Sequence, residues 1–255
     1  MSTLTGKIIV STRPLIENDL IKSQLETKGA QVLDFPMIRT ECVGLTDELK
    51  SVFSQLNNYE WIVFTSKNGV ISFYELLGKA DIDSTLIASK KIAVMGKATG
   101  EEVLKRNGNP HLISSGRRTE DLLVEIKRAV KLTDKVLLVL GELAEQKLEK
   151  DLNGICMVER INVYRTIDIK NYSNEILNSI AQDKYDIILF TSPSGFRNFH
   201  KIAKQNHITT PIKAACIGTT TQAELLKNNC LPLVVSPKSD AESFANEIGF
   251  FLNNI

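Results

Sequence analysis

Two stretches of this chain repeat each other, and the repeat constrains the fold more than any other feature. The segment Tyr59–Gly69 (YEWIVFTSKNG) reappears as Tyr185–Gly195 (YDIILFTSPSG), 126 positions further along. A second segment, Ile92–Thr99 (IAVMGKAT), is echoed by Ala214–Thr221 (AACIGTTT) at a spacing of 122 positions. In each copy an apolar strand ends in a small polar cluster that opens a helix. The repeat therefore predicts two similar units whose equivalent strand ends line a cleft.

Length and charge are consistent with two units and narrow the possible partners. The chain has 255 residues, which allows two lobes of about 125 residues each, a common domain size. A net charge of +1 argues against a dedicated nucleic-acid binder. The four cysteines have no CxxC spacing, and neither a cleavable apolar leader nor a run long enough to span a bilayer is present. We expect a cytoplasmic protein without nucleic-acid or membrane partners.

Apolar runs rich in Ile, Val and Leu alternate with amphipathic segments along the whole chain. Such short continuous runs are typical of parallel strands that are covered on both faces. They predict α/β architecture with two doubly wound parallel-sheet lobes. Ten strands are predicted, in two sets of five: 7–12, 31–35, 61–65, 92–96 and 111–113, then 135–140, 155–158, 186–191, 214–218 and 233–235.

The repeat leaves two lobe organisations open. Pro36–Thr40 matches Asn162–Thr166, again 126 positions apart, and both segments are β-prone without a turn signal. Two sequential lobes would be joined once, near residues 131–134. Alternatively the chain crosses between lobes at both matched segments. We favour the double crossing, with residues 1–36 plus 167–255 in one lobe, 42–160 in the other, and linkers at 37–41 and 161–166.

The chain resembles the uroporphyrinogen-III synthase family over nearly its whole length. Five motif groups carry the resemblance through their order, spacing and duplication: Ser11–Pro14 (STRP), the FTS blocks at 64–66 and 190–192, Gly96–Thr99, Ile161–Thr166 (INVYRT) and Ile217–Thr221. The family often has proline directly after the glycine of the GxxT blocks, where this chain has Lys97 and Thr219. The arginine-proline pair after the first strand and the tyrosine of the second linker are present.

The resemblance implies a lyase of tetrapyrrole synthesis that needs no cofactor. Members of this family close the linear tetrapyrrole hydroxymethylbilane into a macrocycle, inverting the last pyrrole ring and releasing water. Their two lobes are flavodoxin-like, the first is discontinuous, and a two-stranded linker joins them, which agrees with the double crossing. We expect a monomer. The alternative from another class is a non-catalytic two-lobed binder of an anionic small molecule.

Such a substrate carries acetate and propionate groups on every ring, so its binding residues should be hydrogen-bond donors and cations. The strand-to-helix junctions present free backbone N–H groups and the positive ends of helix dipoles. The candidate hydroxyl groups could instead only cap helices, and the candidate charged groups could form salt bridges or remain solvated. The predicted substrate-binding residues are Arg13, Thr65, Ser66, Lys67, Thr99, Thr191, Ser192, Ser194, Thr220 and Thr221.

One residue is predicted to act in the chemistry itself. Loss of the substrate hydroxyl would be helped by a weak acid, and Tyr164, on the second linker, is the candidate general acid. Its alternative role is packing through the aromatic ring. The histidines His111, His200 and His207 are isolated and lack metal-ligand spacing, so no metal site is predicted.

Overall fold

The computed structural model describes residues 3–116, 118–238 and 240–254, and only the backbone of residues 16–19. Contacts between Cα atoms divide the chain into two compact units, Met1–Arg39 with Ile167–Ile255 (unit 1) and Thr40–Thr166 (unit 2). These bounds describe contacts and not independent folding. The predicted domains, 1–36 with 167–255 and 42–160, therefore stay a prediction.

Strands and helices alternate in both units. The strands are β1 (Ile8–Ser11), β2 (Gln31–Asp34), β3 (Ile38–Cys42), β4 (Trp61–Phe64), β5 (Lys91–Met95), β6 (Pro110–Ser114), β7 (Lys135–Gly141), β8 (Met157–Asp168), β9 (Ile187–Phe190), β10 (Ala214–Ile217) and β11 (Val234–Ser236). The helices are α1 (Leu15–Thr27), α2 (Asp47–Ser54), α3 (Lys67–Lys79), α4 (Thr85–Ala88), α5 (Lys97–Leu104), α6 (Thr119–Ala129), α7 (Lys147–Leu152), α8 (Asn174–Ala181), α9 (Pro193–Gln205), α10 (Gly218–Lys227) and α11 (Ala241–Leu252).

Unit 1 contains a five-stranded parallel sheet in the order β11-β10-β9-β1-β2. Successive side chains of a strand point to opposite faces, so a continuous apolar run needs a helix layer on each side. Ile9 and Leu189 pack with side chains of α1 and α11, whereas Val10 and Phe190 pack with those of α8, α9 and α10. The sheet is thus covered on both faces, as a doubly wound lobe requires.

Unit 2 contains a six-stranded sheet in the order β3-β8-β7-β4-β5-β6. The neighbouring pairs β8-β7, β7-β4, β4-β5 and β5-β6 are all parallel. Phe64 and Val139 pack with side chains of α2, α3 and α5. Their neighbours Val63 and Leu138 pack on the opposite face with those of α6 and α7. The predicted α/β class with two doubly wound lobes is confirmed.

The predicted strand count was wrong in unit 2. The described residues form eleven strands, not ten, because β3 occupies the predicted linker 37–41 and β8 extends through the predicted linker 161–166. The two strands are hydrogen-bonded neighbours in the sheet, and Val43 N donates to the Val163 carbonyl oxygen just beyond β3, at 3.1 Å. Both segments are β-prone and each satisfies backbone groups of the other, so the two segments form a pair of neighbouring strands.

A buried asparagine holds together the two segments at which the chain leaves and re-enters unit 1. Asn198, on α9, is 4 % exposed. Its Nδ2 donates to the carbonyl oxygens of Met37 at 2.6 Å and Ile169 at 3.0 Å. Ile169 N also donates to the Met37 carbonyl oxygen at 3.0 Å. One side chain therefore ties both segments to the α9 layer.

Candidate functional site

The carboxyl ends of the parallel strands in unit 2 bring three residues to one level. The register places Phe64 beside Val139 and Gly141 beside Tyr164. Ser66 follows Phe64 by two positions, as Gly141 follows Val139. Ser66, Gly141 and Tyr164 therefore lie level with one another at the ends of β4, β7 and along β8. In doubly wound sheets this edge is where ligands bind.

Tyr164 contacts the residue that caps α3. Its Oη lies 3.0 Å from Ser66 Oγ, which in turn accepts a hydrogen bond from Gly69 N at 3.1 Å. Ser66 thus has the capping role that was the alternative to substrate contact, and it is also the partner of the tyrosine. The Tyr164 ring packs against the apolar core of unit 2. The ring therefore has the packing role, while the hydroxyl group lies beside the helix terminus.

The ring of Tyr164 fits against a glycine at the end of β7. A Cβ atom at Gly141 would lie 2.5 Å from Tyr164 Cζ and 2.8 Å from Tyr164 Oη, far closer than side chains pack. The Gly141 carbonyl oxygen accepts from Arg160 Nη2 at 3.2 Å, and the Ala144 carbonyl oxygen accepts from the same nitrogen at 3.0 Å. Arg160 also pairs with Glu149 at 3.1 Å. The arginine therefore fixes the backbone that borders the ring.

The other predicted residues of unit 2 surround the same strand ends. Thr65 is half-buried and Lys67 is exposed. Thr99 lies in the first turn of α5 and is 5 % exposed. The N-cap of α5 is Gly96, so Thr99 does not cap that helix. We term the predicted set in this unit the unit 2 rim: Thr65, Ser66, Lys67, Thr99 and Tyr164.

Unit 1 repeats the capping serine but lacks the tyrosine. Ser192 Oγ accepts from Gly195 N at 3.1 Å, as Ser66 does from Gly69, and lies 3.3 Å from Ser194 Oγ. Thr191 and Ser194 are half-buried. Beside them, Thr12 Oγ1 donates to the Leu189 carbonyl oxygen at 2.6 Å, which fixes the segment after β1 against the end of β9.

The remaining predicted residues of unit 1 lie at the same edge of its sheet, because β1, β9 and β10 are parallel neighbours. Arg13 follows β1 and is half-buried. In α10, Thr220 is exposed and Thr221 is 3 % exposed. The N-cap of α10 is Ile217, so neither threonine caps the helix. We term the predicted set in this unit the unit 1 rim: Arg13, Thr191, Ser192, Ser194, Thr220 and Thr221.

The described residues form neither a candidate metal site nor a candidate membrane-spanning helix. Within the described ranges, no group of three or more His, Cys, Asp and Glu side chains is arranged to hold a metal ion. No helix in this part of the chain combines the length and the apolar character needed to cross a membrane. That the protein works without a metal or cofactor stays a prediction.

Sequence reasoning missed two residues that shape the unit 2 rim. Neither Gly141 nor Arg160 is among the residues predicted from the sequence. A glycine that ends a buried strand is a signal for close approach of another group. The group itself, the Tyr164 ring, could be identified only from the register of β7 and β8.

A family profile and individual relatives match this chain over nearly its whole length. The profile of the family described as "Uroporphyrinogen-III synthase HemD" matches residues 19–246. The porphyrin biosynthesis protein HemD of Ruminiclostridium josui is 29% identical over 252 residues, which are 96% of this chain and 48% of that protein. The chain thus spans about half the length of that relative. A uroporphyrinogen-III synthase of Chlorobaculum parvum is 25% identical over 247 residues, 95% of this chain and 98% of its own.

A solved structure has the same fold. It is a mutant uroporphyrinogen III synthase from the extremely thermophilic bacterium Thermus thermophilus, with a TM-score of 0.65 and 17% sequence identity. The match covers 98% of this chain and 100% of that one. At this level of identity the likeness concerns the fold alone.

Proposed function

Because the chain belongs to the uroporphyrinogen-III synthase family, we propose that it closes hydroxymethylbilane into a macrocycle, inverting the last pyrrole ring and releasing water. The observation that carries this proposal is the family match over residues 19–246. That match takes in the whole unit 2 rim and every member of the unit 1 rim except Arg13.

The first step would be loss of the hydroxyl group from the carbinol carbon on a terminal pyrrole. The nitrogen lone pair of that pyrrole drives the departure, and a weak acid protonates the leaving oxygen so that it departs as water. A cationic azafulvene remains, and the substituted carbon of the last ring attacks it to give a spiro intermediate. The bond between that carbon and its methylene bridge to the neighbouring ring then breaks, and the freed methylene carbon bonds to the unsubstituted carbon on the other side of the last ring, which inverts that ring. The ring carbon that finally closes the macrocycle releases one proton, which returns to the acid. One water leaves, and the protein is regenerated.

We assign the role of the acid to Tyr164. Its hydroxyl lies at the ends of the unit 2 strands, 3.0 Å from Ser66 Oγ, while its ring is held by packing. Much of the chemistry is intrinsic to the substrate, because the azafulvene forms readily. The larger task of the protein is to hold the chain so that the correct carbon attacks, a role worth up to about 7–11 kcal/mol in favourable cases.

Each rim has groups that would bind carboxylates of the substrate. First-turn N–H groups of α3, α5, α9 and α10 and the rim hydroxyls are donors, and Arg13 and Lys67 are cations. A hydrogen bond to a carboxylate contributes roughly 1.5–3 kcal/mol, so several of them suffice without a strongly basic surface. The near-neutral net charge of +1 supports a small-molecule ligand and not a nucleic acid. We also propose that the protein is cytoplasmic and monomeric.

Turnover distinguishes this proposal from the alternative, a non-catalytic binder of an anionic small molecule. Purified protein would be mixed with enzymatically generated hydroxymethylbilane, and the rate of macrocycle formation compared with that of unassisted closure. We expect acceleration that EDTA does not change. Binding without acceleration would support the alternative, and a loss of activity restored by added metal would contradict a cofactor-free enzyme.

A further inference from the structure

A chain of hydrogen bonds connects the first turn of α3 with the hydroxyl group of Tyr164. Gly69 N donates to Ser66 Oγ at 3.1 Å, and Ser66 Oγ lies 3.0 Å from Tyr164 Oη. A serine hydroxyl has one proton and two lone pairs. Because Gly69 occupies one lone pair, the Ser66 proton is available to Tyr164 Oη. In that arrangement the phenolic proton remains free for an acceptor oxygen on the substrate.

If Tyr164 instead donated its proton to Ser66, the phenol would have no proton left for a substrate oxygen beside it. Fewer hydrogen-bonding groups would then be satisfied. With Ser66 as donor, each hydroxyl in the chain both accepts and donates a hydrogen bond. Successive hydrogen bonds of this kind polarise one another. The positive end of the α3 dipole also favours the negative charge that develops on the phenolic oxygen as its proton leaves.

Gly141 provides the space in which the Tyr164 ring lies. An added Cβ would be 2.5 Å from Cζ and 2.7 Å from Cε2 of the ring. The backbone at this position cannot easily withdraw, because Arg160 Nη2 holds the Gly141 carbonyl oxygen at 3.2 Å and Glu142 N donates to the Tyr164 carbonyl oxygen at 3.0 Å. A larger residue at position 141 would therefore displace the ring and its hydroxyl group.

From these contacts we infer that Ser66 and Gly141 are positioning residues for Tyr164. Ser66 links the phenolic oxygen to the N-terminus of α3 and leaves its proton for the substrate, and Gly141 sets the position of the ring. This inference rests on the proposed function, in which Tyr164 is the acid. It assigns to Ser66 an action through the tyrosine instead of direct contact with a carboxylate.

A double-mutant cycle tests the link between Ser66 and Tyr164. Tyr164→Phe should lower kcat roughly tenfold, and Ser66→Ala should lower kcat by about three- to tenfold with little change in KM. The double variant should have the kcat of Tyr164→Phe alone, because Ser66 acts only through the missing hydroxyl. Losses that multiply, or a Ser66→Ala effect confined to KM, would overturn the inference.

Matched variants separate this role from helix capping. Thr46 caps α2 in the same unit, where its Oγ1 accepts from Leu49 N at 3.2 Å. Thr46→Ala should lower the melting temperature about as much as Ser66→Ala but leave kcat unchanged. Ser66→Thr keeps both the hydroxyl and the cap, so it should retain most of the wild-type kcat. Equal kcat losses in Thr46→Ala and Ser66→Ala would reduce Ser66 to a structural cap.

Alanine substitutions at two glycines test the role of Gly141, and Gly78 is the control because it has free space around it. A Cβ at Gly78, within α3, would meet nothing within 4 Å. Gly141→Ala should lower kcat in the presence of Tyr164 and cause no further loss of kcat in the Tyr164→Phe background. Gly78→Ala should leave kcat unchanged in both backgrounds. Full kcat in Gly141→Ala would remove Gly141 from the account.

A spectroscopic measurement keeps this inference distinguishable from the proposed function. The Cζ resonance of isotope-labelled Tyr164, assigned by its loss in Tyr164→Phe, should shift in Ser66→Ala and Gly141→Ala but not in Thr46→Ala. If the resonance does not shift in these two variants, the positioning of Tyr164 by Ser66 and Gly141 is refuted, whatever kcat the variants have. If the resonance responds but the wild-type protein does not accelerate ring closure, the proposed function fails and the positioning contact stands.

Discussion

The phenolic oxygen of Tyr164 lies 3.0 Å from the hydroxyl oxygen of Ser66, although the two residues are 98 positions apart in the chain. The repeat alone does not produce this contact. Ile38 occupies the position in the first matched segment that corresponds to Tyr164, and Ser192, the counterpart of Ser66, instead lies beside Ser194. The two copies therefore share a helix cap and differ in the group that is placed next to it.

Tyr164→Phe keeps the ring that packs against the core of unit 2 and removes only the hydroxyl group. We expect the melting temperature to change little and kcat to fall roughly tenfold. Loss of a general acid typically costs about 10²-fold or more. We expect a smaller loss because the azafulvene forms readily and other donors are near. Steady-state kinetics and thermal unfolding of the same preparation check both quantities; wild-type kcat with intact stability would remove Tyr164 as the acid.

Thr99→Val and Thr221→Val remove two hydroxyls that are nearly buried, at 5 % and 3 % exposure. Neither residue is the N-cap of its helix, and neither side chain forms a hydrogen bond with another residue in the described part of the chain. Stability should therefore change little, because valine has nearly the same shape. KM should rise, since a lost hydrogen bond to a carboxylate weakens binding. A lower melting temperature with unchanged KM would give these threonines a purely structural role.

The fold class and the position of the rims could be predicted from the sequence because both depend on local patterns. An apolar run followed by a polar cluster, as in Ile187–Ser192, specifies a buried strand and the helix cap after it. The sequence says less about how the two predicted linkers pair. Their β-prone residues predict extended backbone, but only pairing between β3 and β8 decides that they belong to the unit 2 sheet.

The contacts around Tyr164 could not be predicted, because they depend on the order and register of the strands. Gly141 and Tyr164 become neighbours only when β8 pairs with β7, and the pairing shifts by one residue between Leu140 and Gly141. A shift of this kind has no signature in hydrophobic periodicity. The capping role of Ser66, by contrast, follows from its position directly before α3.

The pairing of β3 with β8 predicts which fragment of the chain folds alone. Residues 37–168 contain all six strands of the unit 2 sheet, whereas residues 42–160 lack all of β3 except Cys42 and the last two thirds of β8. We expect fragment 37–168 to unfold cooperatively in urea and fragment 42–160 to have a clearly lower free energy of unfolding. Residues 1–134 would carry β1 and β2 without β9 and should be poorly soluble.

Two outcomes would contradict this expectation. Equal stability of fragments 37–168 and 42–160 would mean that the edge pair contributes nothing to unit 2. Folding of fragment 1–134 with failure of both others would support two sequential lobes, joined once near residues 131–134.

Tyr59→Phe should lower the free energy of unfolding relative to wild type, and this loss should be larger at neutral pH than in acid. Tyr59 Oη donates to Glu159 Oε2 at 2.6 Å, and this hydrogen bond, with a smaller effect from Lys135, lowers the pKa of Glu159. A carboxyl whose folded pKa is lowered contributes stability above its unfolded pKa of about 4.3 and loses it as the pH falls through the folded value. We expect a loss of about 1 kcal/mol at pH 7, below the roughly 1.5–3 kcal/mol of a hydrogen bond to a charged group, because the Glu159 side chain is 36% exposed and solvent screens it.

The difference between wild type and Tyr59→Phe should therefore shrink below about pH 4. Tyr185, the counterpart of Tyr59 in the repeat, provides the control, because its Oη accepts from Lys213 N at 3.2 Å instead of binding a carboxylate. The effect of Tyr185→Phe should vary much less between pH 7 and about pH 3. Urea unfolding across this range checks both variants, and a Tyr59→Phe difference that does not change with pH would contradict the link to Glu159.

The isomer composition of the product tests the central claim most directly. Hydroxymethylbilane would be supplied enzymatically to the purified protein, with no metal or cofactor added, and the products separated by chromatography. We predict that the type III isomer, with the last ring inverted, predominates. Only the type I isomer, the product of unassisted closure, would contradict the account.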